Sequence, residues 1–260
     1  MTPDLGYDDG AGPHGGLGIA NLGYGIGLEG GATARLSVGG LYTRQDIDTG
    51  GDFTQDGFYV VPEVSLPVMD GLYATVGGYY ASGSLDIRRG YLNGGAPDYS
   101  RGETDTETWA ARFRLDWLNA ASGDDWNLTP YASLTYARSQ MDAYAEHGGS
   151  FPSAFDSVSG HSTVARVGLD MITDVTDSFR LTGKVEASYR FEDRTAGTSG
   201  RIIGLSGFSL PGQDVDQFWL RGGVGAEFDT AGGTSFVSLN VTTTGDDPIV
   251  WLKSGWKVTF

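Results

Sequence analysis

The chain contains no cysteine and only three histidines in 260 residues. Disulfides, thiolate metal sites and cysteine nucleophiles are thereby excluded, and imidazole chemistry has few places to occur. Positive charge is also scarce, with 17 basic residues against 33 acidic ones and a net charge of −16. Such a balance repels a phosphate backbone, so nucleic acid is excluded as a partner. No run approaches the ~18 consecutive apolar residues of a membrane-spanning helix, and residues 1–16 lack the charged-then-apolar order of a signal peptide. Membrane strands are not excluded, because each needs only ~9 to 11 residues of alternating character. Glycine, by contrast, is abundant: 42 residues, more than twice the usual ~7%. It has no three-residue period, and the chain is 39% hydrophobic and 12% aromatic. That composition fits neither collagen nor a disordered chain, and points to an all-β protein.

Period-2 alternation supports this. Trp109, Ala111, Phe113, Leu115 and Trp117 form one face of a strand, and Ala110, Arg112, Arg114 and Asp116 the other. The pattern recurs with Phe179, Leu181, Val185, Ala187, Tyr189 and Phe191 against Arg180, Lys184, Glu186 and Arg190. It returns with Phe218, Leu220, Val224 and Phe228 against Arg221 and Glu227, and with Ala165, Val167, Leu169 and Met171 against Arg166 and Asp170. Weaker copies cover 18–28, 33–45, 56–67, 71–87, 126–145 and 234–244, and a last strand covers 249–260, which makes about eleven. The apolar runs begin and end on aromatics. Trp109, Trp117, Phe179, Tyr189 and Phe191 read as girdle residues, and the eight-residue step from Trp109 to Trp117 spans roughly 26 Å of strand.

Periodicity alone leaves a soluble barrel or sandwich open. The connections favour the membrane, because short ones (29–32, 67–71, 119–125, 173–178, 229–234) alternate with long polar ones (46–55, 88–104, 146–161, 192–216). The expectation is an antiparallel transmembrane β-barrel over 18–260, with 1–17 a flexible remnant. It would lie in the bacterial outer membrane, with outer-membrane lipid around it, the long loops extracellular and the C-terminus periplasmic. The segment Ile202 to Phe208 could pair as an extracellular extension.

The inward face would collect Arg112, Arg114, Arg166, Arg180, Lys184, Arg190, Arg221, Lys253 and Lys257 with Asp116, Asp170, Glu186 and Glu227. Two readings of this set are compatible: a positive channel, or a self-compensating network that fills the lumen. Asp46, Asp48, Asp52, Asp98, Asp156, Asp214 and Asp216 fall in loops, where solvated charge is expected, since no calcium-loop spacing is present. No metal, cofactor or catalytic residue is assigned. His161 and Ser162 are adjacent on a strand and point to opposite faces, which is poor geometry for proton transfer. His147, in a Glu-His-Gly-Gly segment, reads as a solvated loop residue.

Several segments in order resemble the C-terminal translocator β-barrel domain of autotransporters, the type V secretion family. They are a Gly-rich hairpin at 23–42, the strand 104–117, Leu-Thr-Pro-Tyr-Ala-Ser-Leu-Thr-Tyr at 128–136, Met-Asp-Ala-Tyr-Ala-Glu at 141–146, Arg-Val-Gly-Leu-Asp at 166–170 and Tyr-Arg-Phe-Glu-Asp at 189–193. The C-terminal alternation of Val250, Leu252, Trp256, Val258 and Phe260 looks like the signal read by the outer-membrane assembly machinery, with Trp256, Val258 and Phe260 at its end. The resemblance implies a twelve-stranded barrel whose pore holds a helix leading to a fused, secreted passenger, should upstream sequence exist. About eleven strands are legible, so a first strand is expected either upstream or as a rudiment at Asp4 to Gly10. A stand-alone channel, structural barrel or surface binding protein is the alternative.

Overall fold

The computed structural model describes residues 15–230, 232–244 and 248–258. The possible rudiment at Asp4 to Gly10, positions 245–247, and Phe260 lie outside the described residues. Sixteen strands run in chain order: β1 (Gly15–Gly27), β2 (Thr33–Ile47), β3 (Gly51–Met69), β4 (Leu72–Asn93), β5 (Ala96–Trp117), β6 (Ala121–Ser122), β7 (Trp126–Met141), β8 (Tyr144–Ala145), β9 (Ser153–Phe155), β10 (Val158–Thr176), β11 (Phe179–Arg190), β12 (Thr198–Ile202), β13 (Gly207–Leu210), β14 (Phe218–Thr230), β15 (Gly233–Thr242) and β16 (Ile249–Lys257). Eleven of them, β1-β2-β3-β4-β5-β7-β10-β11-β14-β15-β16, make one curled sheet in which every neighbouring pair is antiparallel. The expected fold and strand number are both met. The short β6 pairs with β7 beside this path.

Alternation sets the two faces of this sheet, and they are inverted relative to a protein dissolved in water. Leu36, Val38, Phe58, Val64, Val76, Phe113, Leu134, Val167, Val185, Val224 and Leu252 are all exposed on the outward face. Buried within the curl are Arg114, Thr135, Glu186, Ser188 and Arg190. A small apolar cluster of Tyr59, Val61 and Ala81, flanked by Leu41 and Tyr79, fills the β2–β4 side, where the Tyr59 and Tyr79 rings stack at 5.8 Å.

Two of the expected long loops are strand instead. β2 and β3 meet across a turn at 48–50, and β4 and β5, 22 residues each, meet across Gly94 and Gly95. Thr49 and Gly50 have φ of 65° and 78°, and Gly94 and Gly95 have φ of 60° and 87°. Paired left-handed residues close each tight hairpin, and the polar composition belongs to regular strands rather than irregular backbone. The other two long segments carry a second antiparallel sheet, β13-β12-β9-β8. The segment 202–208, expected to pair as an extracellular extension, spans the turn of the β12–β13 hairpin within that separate sheet. β7 stops at Met141 rather than 145; the chain continues beside β5 through Asp142 N–H donating to Asp105 C=O and an Arg101–His147 bridge. The small sheet therefore extends the wall beyond the long-loop rim on the β4–β5 side.

Glycines opposite aromatics fix how closely strands approach. Tyr131 on β7 faces Gly168 on β10, Tyr59 on β3 faces Gly39 on β2, and Phe236 on β15 faces Gly255 on β16. A Cβ on any of these three glycines would collide with the ring opposite.

Candidate functional site

The curl encloses a cavity of about 440 Å³, lined among others by Arg112, Lys184, Glu186, Arg221 and Lys253. Its charged groups form a ladder across β5, β10, β11 and β14. Arg114 Nε donates to Asp116 at 2.8 Å, and Arg114 also reaches Asp170 at 3.3 Å. Lys184 lies 3.8 Å from Asp170 and 4.0 Å from Glu186. Glu186 is the hub, with Arg166 at 3.6 Å and Arg221 at 3.7 Å, while the Tyr131 hydroxyl donates to it at 2.7 Å and Ser188 at 3.2 Å. The Tyr131 ring lies beneath the Arg114 guanidinium (3.8 Å) and the Lys184 ammonium (4.8 Å). Cations above a ring face and around a buried carboxylate compensate its desolvation from several directions.

The remaining inward charges pair locally. Arg112 contacts Glu63 at 2.7 Å, and Arg180 contacts Glu227 at 3.3 Å and Asp229 at 2.9 Å. Arg190 sits over Trp219, Arg221 over Trp251 and Lys253 over Phe236. Lys257 shares the Lys253 face by alternation and is exposed at the strand end.

Sequence reasoning missed three members. Glu63 follows Tyr59 and Val61 on the same face of β3, so alternation could have found it. Asp229 was assigned to a connection, whereas β14 runs to Thr230. Tyr131 had no signal, because a tyrosine suits a girdle as well as a lumen. With Glu63 and Asp229 included, the basic excess on this face is smaller than expected, and the self-compensating network describes it better than a uniformly positive channel.

Trp109, Trp117 and Tyr189 are exposed on the outward face, as is Phe191 just beyond β11. Phe179 is half-buried there, stacked on Phe228 at 4.9 Å. Trp109 packs on Tyr136 (5.4 Å) and Tyr136 on His161 (6.1 Å). Trp256 is also exposed.

Beyond the rim, four of the charges expected to be solvated, Asp52, Asp98, Asp156 and Asp214, are partnered. Glu146, whose side chain has 0% exposure, binds Arg89 through two hydrogen bonds of 2.9 and 2.6 Å and accepts Ser153 N–H. These bonds, ahead of the opposing cost of burial, raise the Arg89 pKa. Burial and then the Glu146 charge push the Tyr144 phenol up to about 12. Asp98 accepts from Ser150 N–H and Tyr99 N–H, and is held below its usual range chiefly by Ser150. Asp52 bridges Arg88 (2.5 Å) and Arg44 (3.7 Å), and Asp214 pairs with Arg194 (2.8 Å). Asp156 accepts from Ser199 at 2.6 Å. His147 is exposed, and His161 Nε2 lies 3.7 Å from Glu192. Burial would raise Glu192, but Thr163 N–H and hydroxyl and His161 outweigh it, so its pKa is lowered. Ser162 is on the other face of β10 from His161, so no proton-transfer pair forms.

The family profile of the autotransporter beta-domain matches residues 5–241. The chain belongs to this family. The translocator domain of autotransporter NalP from Neisseria meningitidis shares its fold, with a TM-score of 0.75 over 95% of this chain and 81% of that one at 16% identity. An uncharacterized protein in the trpE-trpG intergenic region of Pseudomonas putida is 30% identical over 211 residues, 75% of this chain and 35% of that protein. Esterase EstA of Pseudomonas aeruginosa is 36% identical over 66 residues, 25% of this chain and 10% of EstA. The chain thus spans about a third and a tenth of these two relatives. As an autotransporter β-domain it is an outer-membrane translocator barrel, and its exposed apolar face is the face turned to lipid.

Proposed function

We propose that this domain anchors a fused passenger in the outer membrane and carries it across through the space inside the curl. The observation that supports this reading is the inward face itself: a water-compatible ladder centred on Glu186, in a sheet whose outward face is apolar. The charges around Glu186 and Asp170 are already paired with one another, so a moving chain meets few strong individual charges to hold it. The barrel unit begins with β1 at Gly15 rather than at 18, so 15–17 belong to the wall and not to the N-terminal remnant. The long-loop rim and the small sheet lie outside the cell, and β16 ends on the periplasmic side. Trp256, Val258 and Phe260 present the terminal pattern to the assembly machinery, and Trp109, Trp117, Phe179, Tyr189 and Phe191 sit at headgroup level.

Export is tested in cells with an epitope placed immediately before the β-domain of the full-length protein. Epitope accessible to external protease, together with whole-cell labelling of Ser150→Cys, is the expected result. A domain that inserts and labels at Ser150→Cys while the epitope remains internal would reject passenger export and leave a channel or structural barrel.

A further inference from the structure

The inner surface of the curl has two unlike walls. On β2, β3 and β4 the inward positions on the long-loop side of the Arg112–Glu63 pair, within 37–47, 51–61 and 79–87, carry no charged residue. These stretches cover roughly 26 to 33 Å of strand. Large apolar side chains stand there instead. Leu41 and Tyr79 pack on the cluster of Tyr59, Val61 and Ala81. Nearer the rim, Phe53 lies directly opposite Ile87, and Leu85 opposite Gln55, whose side-chain amide donates to Thr106 on the same inner face. Ile19 on β1, opposite Leu41, is exposed on this face.

Leu41, Phe53, Tyr79, Leu85 and Ile87 are only half-buried. An apolar strip of this extent inside a water-filled space gains from any apolar surface that covers it. The ladder on the opposite wall offers no such gain, because its charges hold one another and stay hydrated. A chain passing between the walls therefore has one side on which an apolar side chain can leave water. The spacing suits an extended chain as well. Inward side chains recur at every second residue of each strand, about 6.6 Å apart, and an extended polypeptide presents its own alternate side chains at the same interval. Most of the Pseudomonas putida relative lies outside the part that this chain matches, which is sequence enough to supply such segments.

We infer that the β2–β4 wall is the track for apolar stretches of the passenger. An extended segment with apolar residues at alternate positions lays them against Leu41, Tyr79, Leu85 and Ile87 as it passes, and the wall favours such segments over polar ones. The inference rests on passage of the passenger through the space inside the curl, as proposed above.

The test uses the full-length protein in cells, with its passenger stalled in transit by an engineered disulfide loop so that a chosen segment lies in the lumen. The segment is either alternating Val-Thr or a Ser-Gly stretch of equal length. Tyr79, Thr182 and Ser238, which line the cavity from the two walls, are replaced in turn by the photo-crosslinking residue benzoylphenylalanine. The Val-Thr segment should crosslink from position 79 about fivefold more than from 182 or 238, and the Ser-Gly segment equally from all three. Leu41→Gln, beside position 79, should lower the Val-Thr yield there about threefold. Heat-dependent electrophoretic mobility verifies that this variant is folded, and the comparison in the parent stands without it. Equal yields from both walls with the Val-Thr segment, the same bias with Ser-Gly, or an unchanged yield in folded Leu41→Gln would overturn the track while leaving passage through the lumen intact. No crosslink from any position would reject passage through the lumen itself, and the track with it.

Discussion

Individual side chains divide by which medium their face meets. Val185 is 60% exposed on the outward face, while its neighbour Lys184 points inward to Asp170 and Glu186. Val185→Arg should cost about 2 to 4 kcal/mol near mid-membrane, and Lys184→Gln less than about 1 kcal/mol, because its contacts are long and Arg166 and Arg221 remain on Glu186. Denaturant titration in detergent measures both, and equal costs at the two sites would contradict the facing. Outside the membrane, Glu146→Gln leaves Arg89 without its carboxylate. The expected cost is about 2 to 3 kcal/mol, below the ~3 to 5 of a fully buried pair because the guanidinium is partly exposed. Hydrogen exchange over 142–155 should accelerate accordingly. Glu192 gives a pH dependence of definite sign. Its folded pKa is lowered, so its stabilisation is complete above the ordinary carboxylate value of 4.5 and is lost as pH falls below it. Proteolysis of the 191–217 segment should therefore rise on acidification below about pH 4.5, and Glu192→Gln should flatten that rise.

The strands show what could be read from the amino-acid pattern and what could not. Alternation on a curled sheet is a local property, so Trp109 to Trp117 and Phe179 to Phe191 disclosed their faces directly. The ladder was half legible: alternation placed Arg114, Asp170, Lys184, Glu186 and Arg221 on one side, but pairing depends on register, which no single strand encodes. Polar stretches misled, because one face of the 88–104 hairpin buries polar groups such as Ser100 and Arg89 beneath the Glu146 segment, and its alternation lacks an apolar face. The small sheet was hidden for the same reason, its strands being two to five residues long. Close approach between strands is likewise a pairwise matter. Gly168→Ala should cost about 1 to 3 kcal/mol by forcing the Tyr131 ring aside, and combining it with Tyr131→Ala should cost less than the sum of the two changes. Additive costs in a double-mutant cycle would mean that ring and glycine do not constrain each other.

For the whole molecule, the ends of the sheet are the open question that experiment can address. Among the described residues β1 and β16 are not paired with each other, and an odd count makes them run in the same direction. A strand lying between them would be antiparallel to both and would cover edge groups that hydrocarbon cannot satisfy. Cysteines at Gly25 and Lys257, in a chain with no others, should crosslink weakly; strong crosslinking would demonstrate direct parallel closure. The rings seated on glycines bear on a different matter, the ways in which such a wall can be put together wrongly. The smallest slip that keeps lipid-facing residues toward lipid is two positions. For β7 against β10, that slip would set Tyr131 on Arg166 or Asp170 instead of Gly168. The same move on β2–β3 would set Tyr59 on Ser37 or Leu41. Each ring thus acts as a proofreading mark, accepting one alignment of its strand pair and rejecting the neighbouring ones that hydrophobic pattern alone would permit.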